Sequence, residues 1–166
     1  MRQMKICMLG AFGVGKTSLV QRFVKSIFSE KYHSTLGVKV DKKEFQVDAQ
    51  KVMMMLWDIH GEEAYKKVSM SYLRGASGYL LVADGTRKET LETALSLQKR
   101  VVDTVGDVPF LSVLNKYDLI DDWEIDPKGE FSFAGKNQAV ICSSALSGEG
   151  VEEAFEVLAR RVMERL

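Results

Sequence analysis

Residues 10–17 read Gly10-Ala11-Phe12-Gly13-Val14-Gly15-Lys16-Thr17, the G-x-x-x-x-G-K-[ST] pattern of a loop that closes around the phosphates of a nucleoside triphosphate. Glycines let the backbone curl so that successive N–H groups converge on one anion. The lysine adds positive charge, and the Thr17 hydroxyl can ligate magnesium. The flanks agree with this reading. Lys5-Ile6-Cys7-Met8-Leu9 is a strand-like apolar run, and Thr17 to Val24 repeats apolar residues at helical spacing. The loop therefore opens a helix N-terminus, where backbone dipoles favour an anion. Phe12 is the odd residue among the glycines.

Outward from this loop, strand-like segments recur at Lys5–Leu9, Val38–Val47, Lys51–Asp58, Tyr79–Ala83, Phe110–Asn115 and Ala139–Ser143. Helical spacing marks Lys16–Ser26, Lys88–Val105 and Val151–Leu166. Asp48-Ala49-Gln50 is a hairpin-length turn between the second and third strands. This alternation predicts an α/β fold of the P-loop type, a six-stranded, mainly parallel sheet with one antiparallel edge strand and helices on both faces. Residues 1–166 are expected to form one domain, long enough to bury about 70% of the surface of the unfolded chain without disulfides or structural metals. Met53-Met54-Met55-Leu56 reads as core inside a strand covered on both sides. Between Tyr117 and Gln138 the pattern weakens, and Pro127, Gly129 and Gly135 break any long helix, so loops and at most a short helix are expected there. No internal repeat, low-complexity tract or linker interrupts the chain.

Lys plus Arg and Asp plus Glu each total 23, so no basic field favours nucleic acid and no polybasic run favours anionic lipid. The balance points to protein partners. Cys7 and Cys142 lie far from any C-x-x-C spacing and read as buried thiols of a reducing compartment rather than zinc ligands. Apolar stretches such as Tyr79-Leu80-Leu81-Val82-Ala83 are too short to cross a bilayer. A cytoplasmic monomer is expected.

Asn115-Lys116-Tyr117-Asp118 follows a buried strand, where α/β folds place ligand loops. A carboxylate such as Asp118 accepts two hydrogen bonds side by side, which suits guanine N1–H and its 2-amino group and leaves adenine unmatched. Polar pairs of this kind can discriminate by roughly four to five powers of ten, so the motif selects GTP over ATP. Lys116 would lie along the base, and Asn115 would tie this loop to the phosphate loop. Ser143-Ser144-Ala145-Leu146 after the last strand can offer a backbone N–H to the guanine carbonyl. Asp58-Ile59-His60-Gly61 is a D-x-x-G motif: Asp58 can act on magnesium through water, and Gly61 can bring its N–H to a γ-phosphate. Thr35 is the candidate for a second hydroxyl ligand to Mg²⁺.

With these motifs the chain resembles a Ras-superfamily small GTPase over essentially its full length, and is most like the Rab branch, including the Rab-like GTPases of bacteria. Leu36-Gly37-Val38, Leu56-Trp57-Asp58, Tyr72-Leu73-Arg74-Gly75-Ala76 and Leu81-Val82-Ala83-Asp84 carry the resemblance to that branch. It implies that Gly13, Val14, Gly15, Lys16, Thr17 and Ser18 wrap the phosphates of GTP or GDP. Thr17 and Thr35 would ligate Mg²⁺, with Asp58 acting through water. Phe28 would stack on the base edge. Asn115, Lys116 and Asp118 would hold guanine with help from Ser144, Ala145 and Leu146. Residues 28–37 and 59–74 would be two switch loops that order around the γ-phosphate. An effector that reads the first loop, an exchange factor and an activating factor are the implied partners.

Four departures from that family matter. Glu62 stands where the family usually carries the glutamine that orients the attacking water, and His60 stands where alanine is usual. Lys16, Gly61 and Glu62 remain as the catalytic candidates, Glu62 repelled by the triphosphate. His60 and His33 read as exposed loop histidines. Phe12 would crowd the approach of an arginine supplied by an activator. The chain ends Arg160-Arg161-Val162-Met163-Glu164-Arg165-Leu166 without a prenylatable cysteine, so membrane attachment requires a lipidated tail beyond it. The expectation is a GTP-binding switch with slow hydrolysis; the alternative is a non-hydrolysing GTP-bound scaffold or interaction domain cut from a larger protein. A P-loop kinase would leave Asn115–Asp118 without a purpose.

Overall fold

In the computed structural model the described residues are 1–26, 28, 38–59, 71–129, 131–133, 136–138 and 140–165. Strand β1 (Arg2–Gly10) has apolar residues of both parities, as a strand covered on both faces requires. Met4, Ile6 and Met8 pack with Leu19, Val20 and Phe23 of helix α1 (Lys16–Lys25), and with Phe155, Leu158 and Val162 of helix α3 (Val151–Glu164). Cys7 and Leu9 point the other way, into a second cluster with Ala94, Leu97 and Val101 of helix α2 (Lys88–Val105). Among the described residues helices therefore cover both faces, α1 and α3 on one side and α2 on the other.

Strands β2 (Val38–Val47), β3 (Gln50–Ile59), β4 (Gly78–Asp84), β5 (Phe110–Asn115) and β8 (Val140–Ser143) join β1 in a sheet of order β2-β3-β1-β4-β5-β8. Every pairing is parallel except β2 with β3, which run antiparallel from Val38 opposite Ile59 to Val47 opposite Gln50. This is the expected six-stranded arrangement with an antiparallel edge. Central β4 is buried at every residue, with Leu80 and Val82 in the first cluster and Tyr79 and Leu81 in the second. No helix among the described residues is long and apolar enough to cross a membrane.

The structure corrects several local expectations. The hairpin turn is two residues, Asp48 and Ala49, because Gln50 already pairs with Val47; Asp48 supplies the left-handed backbone with φ 54°. Only Met54 and Leu56 of the methionine run are fully buried, while Met53 and Met55 are half-buried on the opposite face of β3. Cys142 is likewise half-buried, whereas Cys7 is buried. In the segment expected to be loop, a 3₁₀ helix (Tyr117–Asp122) is followed by a small antiparallel ribbon, β6 (Phe131–Phe133) with β7 (Lys136–Gln138). Three-residue strands are too short to display a period in sequence, which is why the ribbon escaped the reading.

Parallel strands place their carboxyl ends together. Gly10, Asp84, Asn115 and Ser143 all fall at this one edge, with Asp84 opposite Asn115 and Asn115 opposite Ser143. Loops after β1, β4, β5 and β8 thus converge without any help from side chains.

Helices α1 and α3 meet through aromatic rings, Phe155 stacked on Phe23 with centroids 4.0 Å apart. Phe155 is 1% exposed, so Phe155→Ala should lower unfolding free energy by about 3–5 kcal/mol, read by urea denaturation.

Candidate functional site

The loop after β1 is shaped by two close approaches. A Cβ on Gly15, whose φ is +102°, would lie 2.3 Å from Nδ2 of Asn115, and one on Gly10 would lie 2.3 Å from the Val82 carbonyl oxygen. Only glycine fits either position. Asn115 uses the space at Gly15 to donate from Nδ2 to the Val14 carbonyl at 3.0 Å, while its Oδ1 accepts from Ser143 Oγ at 3.1 Å and the Ala145 N–H at 3.3 Å. One amide therefore joins the phosphate-loop motif to the ends of β5 and β8.

Lys16 turns back across the loop and donates to the carbonyls of Gly10 at 2.8 Å and Ala11 at 3.2 Å. Its side chain is deep in the loop, with 6% of the residue exposed. Burial pushes the ammonium down to about 8, opposed by the Asp58 carboxylate. A cation held partly desolvated inside a curl of backbone is suited to an anion that would restore its full charge.

The first residues of α1 lie beside the end of β3. Thr17 Oγ1 donates to Asp58 Oδ2 at 2.5 Å, and Asp58 is 1% exposed. A hydroxyl and a carboxylate are hard oxygen donors, and magnesium commonly takes one or two protein ligands, waters and substrate phosphates. The pair fits Mg²⁺ held by Thr17 with Asp58 acting through water. Among the described residues no cluster of three or more His, Cys, Asp and Glu forms an all-protein metal cage.

On the far side, Asp118 Oδ1 accepts from Ser144 Oγ at 2.8 Å. That bond steadies one carboxylate oxygen at the mouth between the loops. Lys116 sits in the left-handed region at φ 76°, a conformation that costs a lysine energy unless its surroundings hold it. They do: its carbonyl accepts from Trp123 Nε1 at 2.8 Å, and its Nζ lies 2.7 Å from Asp84 Oδ2. Arg22 of α1 grips the loop after β8, donating from Nε to the Ala145 carbonyl at 2.8 Å and from Nη2 to that of Leu146 at 2.5 Å. Val14 is thus bonded to Asn115, Asn115 to Ala145, and Asp118 to Ser144, with Gly15, Lys16 and Thr17 following Val14 in the chain and Lys116 following Asn115. Gly13 and Ser18 flank the stretch from Val14 to Thr17. Leu146 is exposed, and Phe28 packs half-buried against the core cluster that contains Phe23. Thr35, His60, Gly61 and Glu62 lie outside the described residues, as does most of both proposed switch loops.

Sequence reasoning missed Asp84, Arg87, Trp123 and Arg22. Asp84 was detectable in principle, as an acid terminating a fully apolar strand at the sheet edge that carries the ligand loops. Burial alone would raise its carboxyl, but hydrogen bonds from Lys116, Thr86 and Arg87 outweigh that and hold it below the usual value. Trp123 had no signal, because its role depends on Gly85: a Cβ there would lie 2.1 Å from the indole ring.

A family model for the Ras family matches residues 5–164. The chain is 38% identical to the Ras-related protein Rab11D of Lotus japonicus over 157 residues, 93% of this chain and 72% of that protein. It is 33% identical to the Ras-related protein Rab-4A of Homo sapiens, and equally to that of Bos taurus, over 164 residues, 98% of this chain and 75% of each relative.

The buried Lys16 makes a pH prediction for the protein without bound anion. Its value of about 8, below the ordinary 10.5, means that the unfolded chain binds more protons between those limits, so Lys16 adds stability as pH rises through that window. Cys7 and Tyr79, each pushed up to about 12 chiefly by burial, act oppositely toward the top of the window. Denaturant unfolding should therefore be compared between the protein and Lys16→Met. The stability of the native chain relative to the variant should climb by up to roughly 3 kcal/mol from pH 8 to 10.5.

Proposed function

The chain belongs to the Ras family as a Rab-like small GTPase, and on that premise we propose that it is a guanine-nucleotide switch that hydrolyses GTP slowly and signals to protein effectors through residues 28–37 and 59–74. The observation that carries this reading is the Asn115 amide, which bonds the loop after β5 to Val14 and to Ala145. Base recognition and phosphate binding then report to each other through one rigid connection.

In this reading Asp118 accepts from guanine N1–H and the 2-amino group, and the backbone N–H of Ala145 or Leu146 faces the guanine carbonyl. Lys16 and the loop amides of Gly13 to Ser18 neutralise the phosphates. Thr17 and Thr35 would hold Mg²⁺, with Asp58 acting through water, and the ion would supply positive charge to offset that of the phosphates. Water attacks the γ-phosphorus in line, the bond to the β-γ bridging oxygen breaks, and GDP and phosphate leave without a covalent enzyme intermediate. Gly61 would donate its N–H to the γ-phosphate. Glu62 cannot donate an amide hydrogen bond to the water, so the chemical step is slow. An exchange factor would act by opening the Thr17–Asp58 neighbourhood.

A second reading, a GTP-bound scaffold without productive hydrolysis, is favoured by Phe12, which stands 48% exposed on the phosphate loop where an activator's arginine would have to pass. Single-turnover assays separate the two. Slow, magnesium-dependent phosphate release accelerated by Glu62→Gln supports the switch; complete absence of release, with and without cell lysate, leaves the scaffold.

Base recognition has its own test in competition binding. Asp118→Asn should reduce the preference for GTP over ATP by at least about a hundredfold, and an unchanged preference would remove Asp118 from the base site.

A further inference from the structure

Arg87 lies just before α2, outside every motif that the sequence presents, yet its guanidinium reaches the phosphate loop. Nη2 donates to the Phe12 carbonyl at 3.0 Å, and Nε donates to Asp84 Oδ2 at 3.0 Å. At Gly13 the same Nη2 would stand 3.4 Å from a Cβ built on that residue. The guanidinium therefore rests against the glycine at the middle of the loop and is held there from two sides.

The local charge is unbalanced in favour of an anion. Asp84 carries one negative charge and is contacted by two cations, Lys116 and Arg87. One positive charge is left over beside a loop whose own lysine is already directed inward. A guanidinium has five N–H donors in a fixed plane, a geometry that matches phosphate oxygens. Here two of its nitrogens serve Asp84 and Phe12, and the side chain remains 38% exposed at the loop surface, so further donors face outward. A charge steadied by packing and still open on one side is a pre-organised anion ligand.

We propose that Arg87 is an additional phosphate-binding residue that donates to the phosphate oxygens of the bound guanine nucleotide, an arginine supplied by this chain itself. The inference rests on the nucleotide-binding reading above and deepens it. It also gives Phe12 a consistent place, since a chain that furnishes its own arginine across the Phe12 carbonyl does not need the approach that the phenyl ring crowds. During hydrolysis Arg87 transfers no proton. As the bond between the γ-phosphorus and the bridging oxygen breaks, its donors stabilise the negative charge that collects on the departing diphosphate.

The test compares the full chain with Arg87→Gln and Arg87→Lys. The glutamine can keep a hydrogen bond to the Phe12 carbonyl but loses the charge; the lysine keeps the charge. Three readings are taken: GDP affinity in the presence of Mg²⁺, single-turnover GTP hydrolysis, and the ³¹P resonances of bound GDP. The expected result is a loss of about tenfold or more in affinity or turnover for Arg87→Gln, substantial rescue in Arg87→Lys, and a displaced phosphate resonance in the glutamine variant. Unchanged affinity, turnover and ³¹P shifts in Arg87→Gln would overturn the proposal, as would equal losses in both variants without a ³¹P displacement, which is the signature of a merely structural latch. Failure of the native chain to bind guanine nucleotide would instead remove the underlying reading.

Discussion

The buried amide of Asn115 is the connection on which the arrangement of this edge depends. It is 2% exposed, and it satisfies a carbonyl in the phosphate loop, a hydroxyl at the end of β8 and an N–H in the loop beyond. Removing such a group would leave several buried polar atoms without partners, each costing about 1–3 kcal/mol. The amide also explains the glycine opposite it, because the space that a side chain at Gly15 would occupy is filled by Asn115 Nδ2. A motif residue in one part of the chain and a motif residue a hundred positions away are a single physical unit.

Around that connection the electrostatics divide into two arrangements. Lys16 is a cation with reduced hydration, directed onto the carbonyls of Gly10 and Ala11. Asp84 is its counterpart, a fully buried carboxylate surrounded by Lys116, Thr86 and Arg87. The first leaves positive charge to be completed by an anion; the second fixes the backbone carrying Lys116 in its left-handed conformation. Both lie beside the end of a parallel sheet that is otherwise apolar, where low polarisability strengthens each interaction.

Much of this is legible in the amino-acid sequence. The strands from Val38 to Val47 and Phe110 to Asn115 and the helix Lys88–Val105 have the boundaries that periodicity suggested, because long segments between two packed layers repeat their apolar residues strongly. The ribbon at Phe131–Gln138 did not announce itself, since three residues per strand carry too little pattern. The half-buried faces of Met53 and Met55 also escaped, because an apolar run does not reveal how completely its second face is covered. In the site, the motif residues Lys16, Thr17, Asn115 and Asp118 were visible through their spacing, whereas Asp84, Arg87 and Trp123 act through contacts between loops.

From the sequence alone came the helix-covered sheet, parallel with its antiparallel edge, and the residues of the motifs proposed to bind phosphate and guanine. These follow from local constraints: side-chain period, turn residues, and the few residue types able to bind phosphate or a guanine edge. Only the tertiary structure decided that Arg22 holds the loop after β8, that Asp84 holds Lys116, and that Arg87 leans on the phosphate loop at Phe12 and Gly13. Those contacts link residues separated by many positions in the chain, and their distances are set by how the strand ends align, a property of the packed sheet that no local pattern encodes.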